Sequence, residues 1–367
     1  MQPSRPSHAV RPFTALMLAL VPAIVFVRCG LWPSFPDLPD SGPTDARLDS
    51  RADAADALAA DARDVREAGM DSTPDVAMPT DGGFRNCMSA PPSGPFTFER
   101  LSATAAAVTG ARDLAFDGRG RLWTVGVNVT SLDPMGMSTD LTMMPVNGSG
   151  LRFMSNGDLA IVANSIADGG SLKFVDRMGA IRTVVMGLML PQGVAVDGMG
   201  GVYFTDSLTN SVMRLAPGAM MPDMVSRDVP TPSAVALTPD FSRLYVGSSS
   251  TSRVYYIDLT AAGMPIGMAT RYADGSPNLA ATGLAFDSCG YLYATDRPRG
   301  RVVRIAPGGG SILEIASDMS LFPVGLAFGA GAGFNATSLY VMDAGRGEVY
   351  RLNIGVEGAP IVMPPRM

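Results

Sequence analysis

Three aspartates, Asp206, Asp296 and Asp343, and the pair Arg112-Asp113 stand out as groups able to carry chemistry, because imidazole is all but missing. His8 is the only histidine in 367 residues. The chain beyond it therefore has no His-based general acid or base, no Ser–His or Cys–His nucleophile and few routes to a zinc site. The three aspartates each end a run of one form, V-Y-F-T-D, L-Y-A-T-D and L-Y-V-M-D. A catalytic group is needed once per protein, whereas a carboxylate that caps backbone N–H groups is needed once per turn, so this recurrence reads as structure. Arg112-Asp113 interrupts the recurring pattern instead, and Asp113 is the one candidate catalytic carboxylate. Methionines at 135, 137, 143, 144, 220, 221 and 224 offer soft thioether ligands for copper(I). With no histidine or free cysteine nearby, they are expected to fill gaps against outer strands.

The elements that must position these groups come from an internal repeat. Leu114-Ala-Phe-Asp117, Leu151-Arg-Phe153, Val194-Ala-Val-Asp197, Val235-Ala-Leu237, Leu284-Ala-Phe-Asp287 and Leu326-Ala-Phe328 open six copies, spaced 37, 43, 41, 49 and 42 residues apart. Each copy continues with a Gly-rich or polar turn, a bulkier apolar run such as Val202-Tyr203-Phe204, and a third run such as Val212-Met213-Arg214-Leu215. That is the layout of an antiparallel meander, and the period is that of propeller blades. The fold class expected is all-β, a six-bladed propeller of four-stranded antiparallel blades. Ala115, Ala195, Ala236, Ala285 and Ala327 are small where inner strands would crowd the axis. Pro95 to Val108 supplies a strand able to complete the last blade, whose own runs are 325–328, 339–343 and 348–353. Closing the ring in this way removes open sheet edges.

Three regions follow. Residues 1–32 have a basic start and an apolar run from Phe13 to Val27, an export signal by its charge and length. Cys29 follows at once and makes the segment resemble a bacterial lipoprotein signal, with Cys29 the residue to be lipidated. Arg28 stands where that pattern wants a small residue, which leaves inefficient processing or an uncleaved anchor open. Residues 33–86 are rich in Asp, Ala and Pro and should form a solvated, disordered linker. Residues 87–367 form the propeller, with 20 basic and 22 acidic side chains. Such a balance has no cationic surplus for nucleic acid. In the expected meander, Cys87 and Cys289 both fall on the bottom face of adjacent blades, and export makes a bridge between them the natural reading.

The blade signature P-x-G-[LV]-A-x-D, G-x-[LV]-Y-x-x-D, [RS]-V-x-R-[LI] resembles the senescence-marker-protein/gluconolactonase (regucalcin-like) and NHL-repeat propellers over about 270 residues. Members of that family that hydrolyse lactones hold a divalent metal such as calcium at the top of the channel, on a Glu, two Asn and an Asp placed just before the inner-strand glycine. The corresponding residues here are Arg112, Gln192, Ser233 and Thr282. A hard cation needs several oxygen donors of higher charge than one amide and two hydroxyls beside a guanidinium, so no metal or other cofactor is expected. The same four residues instead suggest either a mouth where Arg112 grips an anion and the others supply neutral partners, or a ring-closing salt bridge of Arg112 with Asp113 or another loop, the reading that solvated polar loop tops favour. The functional expectation is an exported, surface-tethered, monomeric propeller that binds a small molecule or protein at its top face or serves as a structural module, touching membrane only through its N-terminal anchor. The alternative is a divergent metal-dependent lactonase or esterase.

Overall fold

The computed structural model describes residues 82–101, 108, 110–165, 169–274, 279–310 and 312–364. The leader, most of the linker and Cys29 lie outside them. Six four-stranded antiparallel sheets form the described chain, with one short 3-10 turn, Arg297–Arg299, as its only helix. The innermost strands of blades I to VI are Asp113–Phe116, Gly148–Phe153, Pro191–Val196, Pro232–Leu237, Ala281–Phe286 and Pro323–Phe328. Each blade then runs outward in chain order. The last blade takes its outer strand from the other end of the chain: Glu99–Arg100 pairs with Glu348–Leu352, Glu99 opposite Arg351 and Arg100 opposite Tyr350. The expected ring closure is therefore present, by a strand of two residues.

The repeated residue types have repeated jobs. Tyr203, Tyr293 and Tyr340, from the second strands, are fully buried between blades. Burial of each such ring is worth about 1.5–3 kcal/mol. The inner-strand glycine is demanded by close approach of the next blade. A Cβ on Gly193 would lie 2.4 Å from the Ser233 carbonyl oxygen, and one on Gly325 would lie 2.4 Å from the Asp113 carboxylate.

The aspartates behave as recurrence suggests. Asp206 accepts from the Met189 and Leu190 N–H groups, both at 2.8 Å, and Asp343 accepts from Phe322 N–H at 2.7 Å and Gly345 N–H at 3.0 Å. Asp296 accepts from Ala280 N–H at 3.3 Å and is held by Arg301 at 2.7 Å. Each carboxylate ties the end of a second strand to the loop entering its own blade.

Two departures from expectation concern the surface. Residues 82–86, assigned by composition to the linker, pack on the bottom face: the Phe84 ring lies 5.0 Å from that of Phe286, and Arg85 N–H donates to Ser288. The bridge Cys87–Cys289 forms as expected and fastens this segment to blade V. The methionines at 135, 137, 143, 144, 220, 221 and 224 are solvent-exposed rather than packed under outer strands. They sit in turns and at outer edges, where no further layer exists to receive them.

Candidate functional site

The top mouth of the channel is formed by the loops that enter the inner strands and by the turns between second and third strands. It opens into a cavity of about 390 Å³ lined by Arg112, Asn147, Ser149, Asn164, Gln192, Thr282 and Arg297 among others. No lining residue is acidic. Arg112 enters from blade I, just before its inner strand, and Arg297 from the 3-10 turn of blade V. Both are exposed, and neither guanidinium has a hydrogen-bond or ion-pair partner among the described residues. Unpaired guanidinium groups beside amides form a concave site of positive potential, which suits carboxylate or phosphate oxygens.

Four residues were expected to converge here, and the structure separates them. Arg112, Gln192 and Thr282 line the mouth; Ser233 does not. Ser233 is buried, and its hydroxyl donates to the Ala281 carbonyl of the next blade and, at 3.2 Å, to Gly247. Thr282 does the same job one blade on, reaching Pro323 O at 3.4 Å, as does Ser149, reaching Pro191 O at 2.7 Å. A short hydroxyl at this inner-strand position spans the gap to the neighbouring backbone, so it joins blades and has little left for a ligand. Arg112 and Gln192 are too long for that role and project into the mouth. The working set is thus Arg112, Gln192 and Arg297, with the carbonyl oxygen of Asn164 alongside, since its Nδ2 donates to Pro191 O at 2.9 Å.

Asp113 is not the partner of Arg112. It is 7 % exposed, accepts from the Leu114 and Leu151 N–H groups at 2.9 and 3.1 Å, and forms an ion pair with Arg152 at 2.7 Å. Burial pushes its carboxyl above the ordinary range, against the pull of Arg152 and the two N–H donors. Every oxygen is thereby engaged in structure, in a neck of about 20 Å³ beneath the mouth. The pair also explains itself in the repeat. Asp113 occupies the position held by Gly150, Gly193, Gly283 and Gly325, and Arg152 the position held by five alanines. Each departure is the other's counter-ion. Arg152 and Arg297 were absent from the sequence-derived set. An exception in the alanine column was the available signal for Arg152, while nothing in the sequence places a turn residue such as Arg297 over the channel.

The donors present do not fit a divalent cation. Among the described residues, no three His, Cys, Asp or Glu side chains converge on a common point. The position before the blade I inner strand carries a cation, and two of the three remaining oxygen donors are spent on neighbouring backbone.

Residues 175–345 match the family model of the SMP-30/gluconolactonase/LRE-like region. Solved structures share the fold. A calcium-binding regucalcin from Agrobacterium tumefaciens is 18 % identical with a TM-score of 0.59, covering 75 % of this chain and 99 % of its own. A gluconolactonase from Xanthomonas campestris is 17 % identical with a TM-score of 0.57, covering 73 % and 99 %. A luciferin-regenerating enzyme is 16 % identical with a TM-score of 0.59, covering 74 % and 100 %. No curated protein matches the sequence at a comparable level.

Proposed function

We propose that this propeller, carrying an SMP-30/gluconolactonase/LRE-like region, is an exported binding module whose top mouth takes a small anionic molecule without a metal ion. One observation carries the reading: the mouth presents Arg112 and Arg297 with Gln192 and Asn164, and its lining contains no carboxylate. Bidentate contact from a guanidinium would hold the ligand's carboxylate or phosphate group, and the amides would orient the remainder. The apolar leader and the Cys87–Cys289 bridge support export to an oxidising compartment, with the acidic linker as tether.

The second reading, metal-dependent lactone hydrolysis, is favoured by the family match over residues 175–345. It asks for clustered oxygen ligands and a free general base. Asp113, the carboxylate that lines the neck beneath the mouth, is occupied by Arg152 and backbone N–H groups.

Calorimetric titration of the full-length protein separates the two. Gluconate, citrate and phosphate, tried in turn, should include a binder whose affinity falls roughly tenfold or more in Arg112→Ala, the loss of a charge-assisted contact. Calcium, zinc and manganese should give no stoichiometric heat. Micromolar metal binding together with lactone turnover that disappears in Asp113→Asn would overturn the proposal and establish the hydrolase.

A further inference from the structure

The channel has a second, larger cavity at its opposite end, about 490 Å³, where the six inner strands finish. Its walls are mainly apolar: Phe116, Phe153, Leu237, Phe286 and Phe328 from five blades, with alanines between them. One side is closed by the C-terminal stretch Glu357–Met363, which crosses the bottom face. That stretch is fastened at several points. Ala359 N–H donates to Phe286 O at 2.9 Å, Ser288 N–H to Glu357 O at 2.8 Å, and the Glu357 carboxylate pairs with Arg85 at 3.0 Å.

Protein interiors are packed close to the density of organic crystals, and a mainly apolar hollow of several hundred cubic ångströms leaves its walls short of packing partners. Apolar cavities exclude water and take up apolar molecules. Volume and lining match those of small-molecule sites, which combine a mainly hydrophobic surface with a few placed polar groups.

The placed polar group is Arg152, which lines both this cavity and the neck above it. Its Nη1 donates to Asp113 at 2.7 Å, to Leu151 O at 2.6 Å and to Leu114 O at 3.5 Å. Its Nη2 and Nε have no partner among the described residues. A guanidinium has five N–H donors, so hydrogen-bonding capacity remains at the head of the cavity. The charge there is already balanced, since Asp113 neutralises Arg152 and Arg85 neutralises Glu357. A charged ligand would gain no counter-ion and would pay for its desolvation.

We propose that this cavity is a second binding site, for an uncharged and mainly apolar small molecule carrying one hydrogen-bond acceptor, such as a carbonyl, directed at Arg152. The C-terminal stretch forms its cover, and the site is independent of the anion mouth at the other end.

The probe is 1-acetylpyrene, an uncharged aromatic ketone, titrated by fluorescence into the full-length protein. It should saturate one site per chain. Narrowing the cavity with Ala285→Phe should weaken that site roughly tenfold or more, and Arg112→Ala should leave it unchanged. Ala195→Leu, also on the wall, replaces Ala285→Phe if the latter fails to show a cooperative melt. Absence of a saturable site, or equal affinity in the native chain and a folded cavity variant, would overturn the proposal.

Discussion

The two mouths of one channel are made from opposite ends of the same six inner strands, yet they differ in every property that selects a ligand. The top is lined by Arg112, Gln192, Asn164 and Arg297, with no carboxylate; the bottom is lined chiefly by phenylalanine, leucine and alanine and covered by the C-terminal stretch. The difference follows from where the repeat is kept. The strand ends toward the bottom hold to Ala-Phe or Ala-Val in most copies, so they form a uniform apolar ring. The strand beginnings vary from copy to copy: Arg112, Ser149, Gln192, Ser233, Thr282 and Val324. Variation at a repeated position is the raw material for a specific site, but only where the side chain outreaches the next blade. Between the two mouths stands the Asp113–Arg152 pair, which separates polar from apolar space.

Removing that separator should have the largest effect. Asp113→Ala leaves the half-buried Arg152 without its counter-ion and takes an acceptor from the buried Leu114 and Leu151 N–H groups, and should cost about 3–5 kcal/mol in urea unfolding. The double change Asp113→Gly with Arg152→Ala restores the residues of the other blades and should recover most of the loss. A double variant no more stable than the single one would show that the pair is not mutually compensating.

The disulfide tests the bottom face alone. Replacing Cys87 and Cys289 by serine opens a loop spanning 202 residues of sequence and should lower stability by about 2–4 kcal/mol. Because the bridge fastens only the bottom segment, anion affinity at the top mouth should not change. A parallel loss of anion binding would mean that the two mouths are coupled.

The smallest effect concerns ring closure, on which both mouths depend. Arg351 donates to Glu99 at 2.6 Å and holds its carboxyl below the ordinary value of 4.5. A carboxylate whose pKa is depressed by folding contributes stability that is present above its unfolded value and is lost as pH falls through the folded one. The melting temperature should therefore drop more steeply below pH 4.5 in the native chain than in Glu99→Gln, by a few degrees at most, since the pair is exposed. Identical acid profiles would remove Glu99 from the account of closure.

The sequence by itself determined the six blades, the closing strand, the pairing of Cys87 with Cys289 and the capping role of Asp206, Asp296 and Asp343. Each of these is repeated or follows from strand count and from where two cysteines fall on adjacent blades, and repetition makes a local pattern readable without coordinates. Arg112 and Gln192 were legible for the converse reason, as breaks in the pattern. Only the tertiary structure decided the rest. Ser233 and Arg112 hold the same place in the repeat, and side-chain length against a neighbouring blade sends one into the wall and the other into the mouth. Arg152 became the partner of Asp113 because the next inner strand passes within hydrogen-bonding distance, a relation across 39 residues that carries no local signature. The apolar cavity likewise exists only once six strand ends and a distant C-terminal stretch meet around one axis, since an empty volume is a property of the packed ring and of no segment within it.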